Sequence, residues 1–116
     1  MHIIELLQKL VQNPKNYQYL LAVSGGVDSM VLAFLFKKHN LNFQIAHINY
    51  HLRGEDSNLD QKIVENFCQK NDVKFHLYEV SEKDNQPENS IQLWARELRY
   101  QFFDTIRKQE NLDCVF

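Results

Sequence analysis

Ser24-Gly25-Gly26-Val27-Asp28-Ser29 lies between two apolar runs, Tyr19–Val23 and Met30–Phe36, and this junction constrains the fold more than any other segment. The first run is short and stops at glycines, which predicts a buried strand. The second has no internal Gly or Pro and predicts a helix buried on most sides. A Ser/Gly turn between strand and helix aims backbone N–H groups at the positive end of the helix, where phosphate binds. Glycine at 25 and 26 lets the backbone approach a ligand closely. Ser24 and Ser29 add hydroxyl donors, and Asp28 adds a carboxylate suited to Mg²⁺ beside a phosphate. An ordinary turn with Ser24 or Asp28 capping the helix is the plainer alternative.

The junction is not a Walker A loop, because no lysine follows the glycines until Lys37, and it is not G-x-G-x-x-G. It resembles the S-G-G-x-D-S loop of the PP-loop ATP pyrophosphatases, which cleave ATP between the α- and β-phosphates. That resemblance implies ATP and Mg²⁺ at Ser24, Gly25, Gly26, Val27, Asp28 and Ser29, with Asp28 as the catalytic and metal-binding carboxylate.

The remaining elements follow from periodicity. Ile3, Leu6, Leu7, Leu10 and Val11 have helical spacing and end at Asn13-Pro14. Asn42–Ile48 predicts a second strand, and Leu59, Ile63, Val64 and Phe67 one face of a further helix. Val73–Val80 alternates as a third strand, and a polar loop fills residues 81–88. Asn89 or Ser90 can cap a long helix with Ile91, Trp94, Leu98, Phe102 and Ile106 on one face, and Leu112–Phe116 begins a fourth strand. Alternation of strands and helices predicts an α/β fold, a Rossmann-like parallel sheet with helices on both faces. Ligands of such sheets bind at the carboxyl ends of the strands, where the Ser-Gly-Gly turn falls.

With 116 residues the chain holds one domain at most. Its net charge of −2 argues against a domain that grips nucleic acid by basic excess. No apolar stretch approaches the ~20 residues of a membrane span and no signal segment opens the chain, so a cytoplasmic location is expected. Cys68 and Cys114 form no C-x-x-C pair and are expected to be buried, reduced thiols. Asp113-Cys114-Val115-Phe116 stops within an apolar strand, which predicts a truncated domain.

Two further segments sharpen the resemblance. His47-Ile48-Asn49-Tyr50-His51-Leu52-Arg53-Gly54 follows strand two, and Ala95-Arg96-Glu97-Leu98-Arg99-Tyr100-Gln101-Phe102-Phe103 lies on the long helix. Together with Ser24–Ser29 they resemble the tRNA(Ile)-lysidine synthetase family, with its H-x-N-H-x-L-R-G and A-R-x-x-R-Y-x-F-F stretches. Tyr50 stands where histidine is usual and His51 where glycine is usual. Asn49 offers a donor and an acceptor to a base edge, and Arg53 a planar fork to phosphate. The plainer reading of Arg53 pairs it with Glu55 or Asp56. His47 and His51 lack a third metal ligand nearby and read as hydrogen-bonding groups. Arg96 and Arg99 are neighbours on one helical face and suit a polyanion, with Arg107 returning to nearly the same side and Glu97 and Asp104 as local partners. Trp94, Phe102 and Phe103 read as core.

The resemblance implies ATP-dependent ligation of lysine to the wobble cytidine of tRNA(Ile) through an adenylated intermediate. It implies substrate contacts at His47, Asn49, Arg53, Arg96 and Arg99, with tRNA(Ile) and free lysine as partners, and it allows a homodimer of the full-length enzyme. Residues 1–116 are expected to form the N-terminal portion of the ATP-binding domain, with further domains beyond. The alternatives are another PP-loop enzyme, a tRNA thiolase or amidating synthetase, and a non-catalytic nucleotide-binding module.

Overall fold

The computed structural model describes residues 17–50, 55–80 and 91–116. The expected amino-terminal helix, the Asn89 or Ser90 cap, the 81–88 loop, His51 and Arg53 lie outside the described residues. Within them the order is β1 (Gln18–Ala22), α1 (Val27–Lys38), β2 (Asn42–Asn49), α2 (Glu55–Asn71), β3 (Phe75–Glu79), α3 (Ile91–Gln109) and β4 (Cys114–Val115). The strands form one parallel sheet in the order β3-β2-β1-β4.

The pleat sorts the apolar residues of β1 to two faces. Tyr19, Leu21 and Val23 join Ala33 and Phe36 of α1 and Val64, Phe67 and Cys68 of α2. Leu20, with Ala46 of β2, meets Ile106 of α3 and Leu112 on the other face, flanked by Phe102 and Phe103. Helices therefore cover both faces, α1 and α2 on one and α3 on the other. The first face is rich in aromatic contacts: Phe36 packs edge-on to Tyr19, Phe43 and Phe116, and Phe34 to Phe67.

All three helices stop the same way. Asn40, Asp72 and Asn111 have φ of 56, 55 and 57°, the left-handed conformation that short polar side chains tolerate. The next residue in each case, Leu41, Val73 or Leu112, donates its N–H back to Phe36, Cys68 or Arg107. Each is apolar and turns the chain toward the following strand.

Three expectations about burial need correction. Helix α1 is not enclosed on most sides: Ala33 and Phe36 are buried, but Val31 is 50% and Phe34 61% exposed. A helix lying on a sheet presents one stripe to it, so an unbroken apolar run leaves its outer residues in water. For the same reason Leu59 and Ile63 lie on the exposed side of α2, while Val64, Phe67 and Cys68 face the core. Both cysteines are free, Cys68 buried and Cys114 only half-buried. Burial, with Glu65 nearby, pushes the Cys68 thiol up to about 12. It stays a neutral, inert thiol at physiological pH. Among the described residues no helix is long and apolar enough to cross a membrane.

Candidate functional site

Strand β1 has β2 on one side and β4 on the other, so the chain reverses its winding direction there. This is the switch point at which open parallel sheets bind ligands, and residues 24–29 leave β1 at its carboxyl end. Gly26 is the N-cap of α1, in extended conformation, and no side chain caps the helix. The capping alternative for Ser24 and Asp28 is thereby removed. The Ser24 hydroxyl instead accepts the Gly26 N–H at 3.2 Å and lies 3.2 Å from the Ser29 hydroxyl, which donates to the Gly26 carbonyl at 3.0 Å. The hydroxyls hold the turn in shape while the first turn of α1 stays open to an anion. Asp28 sits in that first turn, exposed.

Gly25 is required at its position. Its φ is +92°, and a Cβ there would come within 2.8 Å of Asp60 Cβ and 2.9 Å of the Asp60 carbonyl oxygen. Helix α2 thus packs directly on the loop. That contact has a visible anchor, because Asn49, 1% exposed at the end of β2, donates its amide to Asn58 at 3.1 Å and Gln61 at 2.8 Å. Gln61 in turn donates to Glu65 at 2.8 Å. An amide placed among acceptors in this way fixes the start of α2 relative to the sheet.

Strand alternation divides the residues after the core of β2. His47 and Asn49 lie on the α2 side, and Ala46, Ile48 and Tyr50 on the α3 side. His47 is 3% exposed, and its Nδ1–H donates to the Val23 carbonyl at 2.7 Å, tying β2 to the residue that precedes Ser24. The Nε2 atom is buried and without a partner among the described residues.

Two cavities flank the loop. One of about 260 Å³ on the α2 side is lined by Ser24, His47, Asn49, Ser57 and Asp60. The other, about 160 Å³, lies toward α3 and is lined by Ala22, Ala46, Ile48, Arg99 and Phe103. Ser24, Ile48 and Tyr50 border both. The sequence-derived residues therefore converge unequally. Arg99 is brought to the loop, whereas Arg96 leans along α3 onto Tyr100, with its guanidinium 5.5 Å from the ring centre. Arg107 is paired with Asp104 at 3.0 Å further along the helix. No group of three or more His, Cys, Asp or Glu residues able to hold a metal occurs among the described residues. Ser57, Asn58, Asp60 and Gln61 were not singled out by sequence reasoning; their roles depend on contacts made only once α2 packs. Tyr50 could have been placed toward α3 from the two-residue period of β2 alone.

A glycine loop at a switch point, open at a helix N-terminus, defines a phosphate-binding α/β domain. The family model described as the PP-loop domain matches residues 1–116, and the chain belongs to that family. Family membership implies ATP binding. Among curated proteins it is similar to the tRNA(Ile)-lysidine synthase of Malacoplasma penetrans, 43% identical over 85% of this chain and 34% of that protein. It is similar also to the synthases of Ureaplasma parvum, 38% identical over 98% of this chain and 34% of the relative, and of Clostridium tetani, 37% over 97% and 26%. The chain thus spans about a third or less of the length of these relatives.

Proposed function

We propose that this chain forms the N-terminal portion, residues 1–116, of the ATP-binding domain of a cytoplasmic tRNA(Ile)-lysidine synthetase, the further domains lying in a longer protein. The observation that carries the reading is the uncapped α1 N-terminus at the switch point, with Arg99 bordering the same cavity as Ser24. The names of the similar synthases point the same way.

In this reading Ser24, Gly25, Gly26, Val27 and Ser29 cradle the phosphates of ATP through backbone N–H groups and hydroxyls. The carbonyl oxygen of the wobble cytosine in a CAU-anticodon tRNA(Ile) attacks the α-phosphate, and the bond to the β-phosphate breaks, releasing pyrophosphate. The amino group of free lysine then displaces AMP, loses its proton and leaves lysidine. The chemistry rests on positioning and charge neutralisation rather than on a protein nucleophile. A single exposed carboxylate in the first turn suits Mg²⁺, which takes one or two carboxylates together with substrate phosphates. Asp28 would hold the ion, whose charge offsets that of the phosphates. Arg99 faces the substrate side, and Arg96 and Arg53 are assigned as further substrate contacts on the strength of the resemblance alone. Asn49 and His47 serve the site from the α2 side through the contacts described above. A homodimer of the longer protein is compatible with this assignment.

The test supplies labelled lysine, a sulfur donor and glutamine in parallel to the full-length protein with ATP and a CAU-anticodon tRNA(Ile). Lysine incorporation that depends on both ATP and this tRNA is expected, and Arg99→Ala should weaken it. Sulfur transfer or amidation without lysine incorporation would sink the lysidine reading and leave the PP-loop fold untouched.

A further inference from the structure

Tyr50 borders both cavities and leaves β2 on the α3 side. Its ring meets Trp94 edge-on, with centres 6.2 Å apart, and its hydroxyl donates to the Ala95 carbonyl at 3.4 Å. The hydrogen bond is long, so the ring contact is the stronger tie. Trp94 and Ala95 belong to the first turns of α3, and Arg99 follows just over one turn later. Arg99 lines the 160 Å³ cavity together with Tyr50 and Ser24. Burial raises the Tyr50 hydroxyl above its ordinary pKa, partly opposed by the Arg99 charge, which agrees with the two side chains lying near each other. Among the described residues, Phe103 is the other α3 side chain that lines this cavity. The buried core contact of α3, through Ile106, sits toward the other end of the helix.

We propose that Tyr50 is a positioning residue: wedged against Trp94, it sets the start of α3 on the end of β2 so that Arg99 faces the Ser24 loop. It acts through Arg99, not on the reacting atoms, and the activity part of its test rests on the function proposed above.

A double-mutant cycle between Tyr50 and Arg99 tests this in the full-length protein, read as tRNA-dependent pyrophosphate release. Tyr50→Ala should lower kcat/KM for the RNA about tenfold, whereas Tyr50→Phe, which keeps the ring, should lower it less than about threefold. In an Arg99→Ala background Tyr50→Ala should cost less than about twofold more, because the residue it positions is gone. Trp94→Ala should repeat the pattern from the other side of the contact. Losses that multiply in full, or a Tyr50→Phe defect equal to that of Tyr50→Ala, would overturn the proposal. A second readout is the NMR signal of the Arg99 side chain, expected to shift in Tyr50→Ala and to stay in place in Tyr50→Phe. An Arg99 signal indifferent to both substitutions overturns the proposal. If no variant, nor the unsubstituted protein, responds to the tRNA, the lysidine reading fails while the Arg99 signal still decides the role of Tyr50.

Discussion

The two faces of the sheet are built differently. The α1/α2 face has a large core in which Tyr19, Phe36, Phe43 and Phe116 interlock, and the phosphate loop is pinned to it by Gly25 against Asp60 and by His47 against Val23. Among the described residues the α3 face has a smaller buried set, Leu20, Ala46, Ile106 and Leu112, and presents its arginines through partly exposed turns. The difference teaches where rigidity has been placed. In the proposed function the phosphate side needs a backbone held still, because its N–H groups would be the binding groups. In the proposed function the α3 side would recognise with long side chains, which tolerate a lighter core.

The largest expected effect tests that contrast directly. Phe36→Ala removes a fully buried ring that touches three others and should destabilise the protein by about 3–5 kcal/mol in urea unfolding. Phe102→Ala, on the α3 face and only partly buried, should cost about 1–3 kcal/mol. Equal losses would erase the distinction between the faces.

Gly25→Ala sharpens it on the loop. The positive φ and the approach of Asp60 together should cost about 2–4 kcal/mol, since α2 must move to admit the methyl group. Pyrophosphate binding should fall with it. Gly26→Ala meets only the Ser24 hydroxyl at 3.5 Å and should be far milder, a ranking that thermal unfolding of the two variants reads out.

The smallest effect lies at the opposite end of the sheet. His76 is bonded to Gln44 at 2.7 Å, and burial lowers its pKa below the usual 6.5, with Glu110 opposing and Lys74 assisting. Below 6.5 the unfolded chain therefore binds a proton that the folded chain resists, and stability should decline as pH falls through that window. Glu110, held below its usual 4.5 chiefly by its hydrogen bond from Lys74, adds a further loss as pH falls below 4.5. Urea midpoints between about pH 7 and pH 5 should drop, and His76→Gln should flatten the slope. A slope unchanged by the substitution would place the titration elsewhere.

Much of this architecture is legible in the chain. Every strand within the described residues falls where periodicity puts it, and the phosphate loop is local to one strand, one turn and one helix. The parts the chain alone does not reveal are those decided by partners distant in sequence. Phe34 and Val31 look like core because neighbouring residues are apolar, yet only the sheet determines which stripe of α1 is covered. Asn49 has contacts that its motif does not reveal: its nitrogen is engaged by Asn58 and Gln61, a pairing that exists only after α2 docks. Asp60 carries no motif at all, and its importance comes from the glycine it faces.

The most direct test of the phosphate assignment is a titration of the protein with pyrophosphate and Mg²⁺, followed by backbone amide NMR in the unsubstituted form and in Asp28→Asn. Saturating shifts at Gly25, Gly26 and Ser29 are expected, with binding weakened in Asp28→Asn while its unfolding midpoint stays close to that of the unsubstituted protein. Shifts confined to surfaces away from residues 24–29, or binding unaffected by Asp28→Asn, would contradict the account.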